Sequence, residues 1–148
     1  MLGVVLALGM GATGSALGIG VAGAAAAGAW AKDARAGKPL RFAYIILVGA
    51  PLTQTIYSMI IMLGMLKVVN SPELVHKYAG LLLGIGISGG LGELFSAWLQ
   101  GVIGAAGCRC LSESDGKGLA LIIIALGIVE TVGIFSFVFL YMAIGKLV

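Results

Sequence analysis

The sequence predicts an all-α membrane protein of four transmembrane helices, folded as two duplicated helical hairpins. Three observations carry this expectation. Of the 148 residues, 60% are hydrophobic and only 10% are charged, with a mean hydropathy of +1.13. A soluble domain of this length needs far more polar surface. Four stretches are long enough to cross a bilayer core, which takes roughly 20 helical residues. Met1–Ala31 and Phe42–Leu66 carry no charge, Tyr78–Cys108 carries only Glu93, and Gly118–Gly145 carries only Glu130. The chain also repeats itself: an offset of 76 residues lays Gly14 on Gly90, Gly28 on Gly104, Ala29 on Ala105, Arg41 on Lys117, Thr55 on Thr131 and Gln54 on Glu130. Identities are few, but hydropathy, loop position and glycine pattern agree, which is the mark of an internal duplication. The two copies divide at 1–70 and 71–148 within a single structural domain.

The first stretch is expected to be a retained helix. It lacks the basic start of a signal peptide, since the first lysine is Lys32, and its apolar run is about twice too long. Gly9, Gly11, Gly14, Gly18, Gly20, Gly23 and Gly28 punctuate it. Helices in lipid gain little from hydrophobic contact with each other, so small residues that let backbones approach mark packing faces. Gly9-Met10-Gly11-Ala12-Thr13-Gly14 matches GxGxxG, with Asp33 at nearly the dinucleotide-site distance. No strand precedes it, so a nucleotide site is not expected.

The second stretch is bulkier and contains Ala50-Pro51-Leu52-Thr53-Gln54-Thr55-Ile56-Tyr57. Pro51 donates no amide hydrogen and clashes with the carbonyl of residue 47, which loosens the backbone there. Helical spacing places Thr53, Gln54 and Tyr57 on one face. The third stretch opens at Ser71-Pro72, read as an N-cap followed by proline in the first turn, with Glu73 and Lys77 spaced as an i,i+4 pair. Gly84, Gly86, Ser88, Gly90 and Gly92 alternate through it, and it carries Glu93 and Gln100. The fourth is again bulky, with Ile122-Ile123-Ile124 and Phe135-Ser136-Phe137-Val138-Phe139 around Glu130. Slim helices inside and thick ones outside suit a ring of hairpins, and a compact four-helix bundle is the alternative.

The basic residues set an orientation. The 31–41 loop holds Lys32, Arg35, Lys38 and Arg41, and the 108–117 loop holds Arg109 and Lys117; the other side has Lys67, Lys77 and Lys146. Six against three places both hairpin loops in the cytoplasm and both termini outside. The net charge of +3 thus reports topology and calls for no nucleic-acid partner. Cys108 and Cys110 form a Cys-x-Cys pair with no third ligand on that side, because His76 lies in the opposite loop. They read as reduced thiols without a metal role.

Glu130 stands out chemically. An ionised side chain at the bilayer centre costs about 2.5–3.5 kcal/mol on insertion scales. About 12 residues into its helix, Glu130 cannot snorkel to either surface, so it must be protonated or paired with a cation. Thr53, Gln54, Tyr57 and Gln100 lie at a comparable depth. A hydroxyl, two amide oxygens, a carboxylate and a carbonyl freed near Pro51 make a cage of hard oxygens, which suits Na⁺ and exceeds what a bare proton needs. Gly127 and Gly133 flank Glu130 by one turn on each side and leave room around it.

These residues resemble the proteolipid of V-type rotary ATPases. The repeated hairpin, Pro51-x-Thr53-Gln54-x-x-Tyr57, Phe95-Ser96-x-x-x-Gln100-Gly101 and Val129-Glu130-Thr131 carry the likeness, which covers the whole chain. It is strongest with the sodium-pumping bacterial branch, whose proteolipid is called K or c. The resemblance implies a homo-oligomeric rotor ring in a bacterial plasma membrane, surrounded by lipid. A soluble ATPase head turns the ring through a central-stalk subunit on the cytoplasmic loops, against a stator protein called a or I. It also implies that Thr53, Gln54, Gln100, Glu130 and the carbonyl of Ala50 bind Na⁺, that Tyr57 holds the acid by a hydrogen bond, and that this chain has neither a nucleotide nor a catalytic site. Glu93 departs from the pattern, where a small residue is expected. It is read as facing the ring lumen or as a neutral acid, with an accessory acid on the ion path as the alternative.

The residues also leave other functions open. A proton-carrying rotor shares every feature except the surplus of ligands. A small four-helix cation or drug antiporter also has one membrane carboxylate, but it lines that carboxylate with aromatic residues, where this chain has Gly, Thr and Gln. A structural proteolipid forming a passive pore would leave Glu130 without a role.

Overall fold

The computed structural model describes residues 1–148 as five α-helices and one 3₁₀ turn, with no strand. Helix α1 spans Leu2–Arg35. The second span is α2 (Ala43–Gly49), a 3₁₀ turn (Ala50–Leu52) and α3 (Thr53–Val69). Helix α4 runs unbroken over Pro72–Glu113, and α5 over Leu119–Ile144. All four spans are long and apolar enough to cross a membrane. The change from α to 3₁₀ falls on Pro51, as its missing amide and ring clash require. At the 76-residue offset Gly127 replaces that proline, and α5 passes the level without a break.

The two glycine-rich helices pack directly on each other. A side chain built on Gly14 would come within 2.5 Å of the Leu94 Cα, and one on Gly101 would overlap the Gly18 backbone. Glycine at both positions is therefore what permits α1 and α4 to touch backbone to backbone. Helix α5 lies outside, with Leu121, Ile124, Ile128, Val132, Phe135 and Phe139 exposed and only Leu126, Gly133 and Ile144 buried. Such a face suits lipid.

Two apolar cores fill the bundle. One, near the termini, gathers Val4, Ala7, Ile61, Met65, Val68, Leu82, Ile85 and Ile144. The other, near the hairpin loops, gathers Ala26, Ala29, Tyr44, Leu47, Cys108, Leu111 and Leu126. Between them lies a buried polar layer: Ser15, Gln54, Ser58, Glu93, Ser96 and Gln100.

The loop end is clasped by charge. The buried Asp33 accepts hydrogen bonds from Tyr44 Oη (2.7 Å), Ser112 Oγ (2.9 Å) and Arg41 Nη1 (2.8 Å). Arg41 also pairs with Asp115, which Lys38 reaches at 3.1 Å. The Lys38 hydrogen bond and the charges of Lys38 and Arg41 hold the Asp115 carboxyl below its usual range. Asp33 thus joins the two hairpins. The turn between them and α5 has positive φ at Asp115, Gly116 and Gly118.

Three local expectations are corrected. Ser71 is extended and Pro72 starts α4, but the serine side chain makes no capping bond. Lys77 forms no ion pair with Glu73 and lies 5.1 Å from the centre of its neighbour Tyr78's ring, since exposed ion pairs gain little. His76 belongs to the first turns of α4, because the connection from α3 is only Asn70 and Ser71.

Candidate functional site

The polar layer converges on one stretch of α5. Gln100 Nε2 on α4 donates to the Leu126 carbonyl at 3.4 Å, Ser96 Oγ donates to the Val129 carbonyl at 3.0 Å, and Tyr57 Oη on α3 donates to Glu130 Oε1 at 3.2 Å. Leu126, Val129 and Glu130 fall on neighbouring turns of one face, so three polar side chains fasten the acid's helix to the other two spans. The Tyr57 ring is held flat against Phe137, centroids 5.4 Å apart and planes 7° apart, which fixes where its hydroxyl points.

The second span supplies the rest. The Thr53 hydroxyl lies 3.2 Å from the Ala50 carbonyl and 3.1 Å from Gln54 Oε1. Gln54, fully buried, turns its amide nitrogen to Ser96 Oγ at 3.2 Å. The carbonyl of Pro51 accepts a bond from Ser15 Oγ at 2.6 Å, and Thr55 donates to Ser15 at 2.8 Å. The 3₁₀ turn is thereby pinned to α1 from outside the cage. The Leu47 carbonyl, freed of its helical partner by Pro51, faces Gly104 on α4, where a side chain would approach it to 2.8 Å. That carbonyl packs against a helix; the one beside the cage is that of Ala50.

Every sequence-predicted oxygen donor is thus in or against one layer. Thr53, Gln54 and Ala50 touch each other, Tyr57 touches Glu130, and Gln54 and Gln100 reach α5 within four residues of the acid. Gln100 Oε1 is buried with no hydrogen-bond partner, an amide oxygen left free to ligate. Glu130 is partly exposed on the lipid-facing helix, so a charge there is reachable from the side of the bundle. No group of three or more His, Cys, Asp and Glu side chains comes together; Tyr57 bonds the Glu130 carboxylate directly, while Ser96 and Gln100 bond the backbone of its helix. Cys108 is buried and Cys110 exposed, both as free thiols.

Two expectations change. Glu93 is 0% exposed in the single chain, so it does not face a lumen. It points at α5, where Gly133 has no side chain and a Cβ would sit 2.8 Å from Glu93 Oε2 and 3.1 Å from Ser96 Oγ. Gly133 therefore makes room for Glu93, and only Gly127 is left open beside Glu130. Ser96, Thr55 and Phe137, which enter the sequence reading only within motifs or the repeat, and Ser15, which does not enter it, had no expected part in the site. Ser96 had a signal, since Glu93, Ser96 and Gln100 follow helical spacing, and Ser15 is the sole serine of the first span. Nothing in the sequence singles out Phe137 among its neighbours.

The family model for the C subunit of ATP synthase fits the chain twice, over residues 2–65 and 83–143. No curated protein matches the chain.

Proposed function

Since the chain belongs to the family of the ATP synthase C subunit, the ion-carrying proteolipids that form a homo-oligomeric ring beside the stator protein of the membrane sector, we propose that it carries Na⁺ on Glu130 as a V-type, K-branch rotor proteolipid. The observation that carries the sodium reading is the free Gln100 Oε1, on a side chain bonded to α5 four residues from Glu130, with the Thr53, Gln54 and Ala50 oxygens grouped on the second span and joined to α4 through Ser96. A proton needs one oxygen, whereas a desolvated metal cation needs a shell of them.

The chemistry follows from charge. Glu130 with Na⁺ bound is nearly neutral, so the loaded site tolerates the lipid face of α5 while the ring turns. At the stator a fixed cation displaces the ion, and Tyr57 then loses the partner that kept the carboxylate turned inward. Moving one charge against 100 mV costs about 2.3 kcal/mol, supplied by ATP hydrolysed on other subunits. This chain contributes one exchanging carboxylate per four helices. The 31–41 and 108–117 loops face the cytoplasm and the central stalk in this reading, supported by the six-to-three count of basic residues.

Glu130→Gln in the whole complex should leave the ring assembled and abolish ATP-driven ²²Na⁺ uptake; retained uptake refutes the role of Glu130. Sodium should slow carbodiimide labelling of Glu130 at neutral pH. Labelling indifferent to sodium, with ATP-driven acidification in its place, assigns the rotor to protons. Val148→Cys should label with an impermeant thiol reagent from the non-cytoplasmic side.

A further inference from the structure

Glu93 is a second membrane carboxyl that the proposed ion carriage does not use. It is 0% exposed, and both of its oxygens lack a hydrogen-bond partner. Helix α4 places it seven residues before Gln100, about 10 Å along the axis at 1.5 Å per residue. It lies beside Gly133, one turn beyond Glu130 towards the termini. A dry, unpartnered carboxylate is too costly to persist charged.

The neutralising charge cannot come from the chain. The apolar stretches contain no lysine, arginine or histidine. At its level the titratable groups on the helices beside it are Tyr57 on α3 and Glu130 on α5, neither of them a cation; Lys67, in the last turn of α3, and Tyr141 of α5 lie farther towards the termini, and α1 offers none before Asp33. The partner must be a small cation taken from solution. No group bonds either carboxyl oxygen, and at the space that Gly133 leaves for Glu93 the nearest other polar atom is Ser96 Oγ, which already donates to Val129 and accepts from Gln54. Its remaining lone pair and one carboxylate are too few to replace the water shell of a metal ion, whereas a proton needs a single oxygen.

We propose that Glu93, packed between Ser96 and Gly133, is a second cation site selective for H⁺, occupied in the assembled ring and separate from the exchanging site at Glu130. The proton enters as an O–H bond on one carboxyl oxygen, taken up from water before the helices close. Each protomer then holds two acids and exchanges an ion at one. The site rests on geometry around Glu93 and stands whether Glu130 carries Na⁺ or H⁺.

Infrared difference spectroscopy of the purified ring at neutral pH, combined with a sodium count per protomer, tests this. The sodium-loaded wild-type ring should show one protonated-carboxyl stretch, absent in Glu93→Gln and retained in Glu130→Gln, with slow deuterium exchange. Loss of ATP-driven Na⁺ uptake should not accompany Glu93→Gln, and the ions moved per ATP should equal wild type. The proposal is overturned by two sodium ions per protomer, by the absence of that band, or by a changed ion-to-ATP ratio in the variant. If Glu93→Gln rings do not assemble, the wild-type band and sodium count decide alone. A rotor that proves to move protons shows a second band, from Glu130, that sodium leaves in place.

Discussion

Removing the Tyr57 hydroxyl isolates one interaction of the ion site. In Tyr57→Phe the ring keeps its stack on Phe137, so position and apolar contact survive and only the 3.2 Å bond to Glu130 Oε1 is lost. Hydrogen bonds to charged groups contribute about 1.5–3 kcal/mol, and the long separation argues for the low end. About 1.4 kcal/mol is tenfold in an equilibrium constant. If the bond stabilises the closed, loaded carboxylate, the sodium concentration that half-protects Glu130 from carbodiimide should rise about tenfold. The assay is the initial labelling rate in purified rings across a sodium titration at fixed pH. The unprotected rate at zero sodium should increase, because the carboxyl swings out more freely. A half-protecting concentration within twofold of wild type would refute the reasoning and reduce Tyr57 to a packing residue.

Gln100→Leu removes the unpartnered oxygen and the bond to the Leu126 carbonyl; sodium protection should weaken at least tenfold, while carbodiimide still labels Glu130 fully without sodium. Gly101→Ala drives a methyl into the Gly18 backbone and should destabilise the chain by about 1–3 kcal/mol or more, read as a lowered thermal midpoint of the detergent-solubilised protein. Asp33→Asn leaves Arg41 with Asp115 alone and should lower that midpoint too, by a loss of about 1–3 kcal/mol, with sodium protection unchanged. The Asp115 clasp has a fixed sign with pH. Its carboxyl is held below the usual 3.8 by Lys38 and Arg41, so its contribution is complete above that value and fades as pH falls through the lowered one. Asp115→Asn should therefore flatten the acid limb of a stability-against-pH curve, measured by thermal unfolding.

The sequence made the spans and their pairing legible because lipid leaves few choices: charge-free runs become helices, and glycine-dense ones pack together. The Glu130 neighbourhood was legible for a similar reason, since Pro51, Thr53, Gln54 and Gln100 are scarce polar or backbone-breaking residues in apolar helices. Glu93 was not. Its facing depends on Gly133 leaving space on α5, a relation across 40 residues that no local period encodes. The Asp33 clasp escaped for the opposite reason. Its partners Arg41, Tyr44 and Ser112 are ordinary residues for a loop end, and only folding shows that they meet.

Helix α4 has a mechanical consequence. Its 42 residues make a rod of about 63 Å at 1.5 Å per residue, roughly twice the thickness of a bilayer's hydrocarbon core. Gln100 and Glu93 sit on that rod with no proline or break between them and the loop end. Side force applied beyond the lipid therefore arrives at the polar layer as displacement of a stiff lever, with no joint in which the work could be lost.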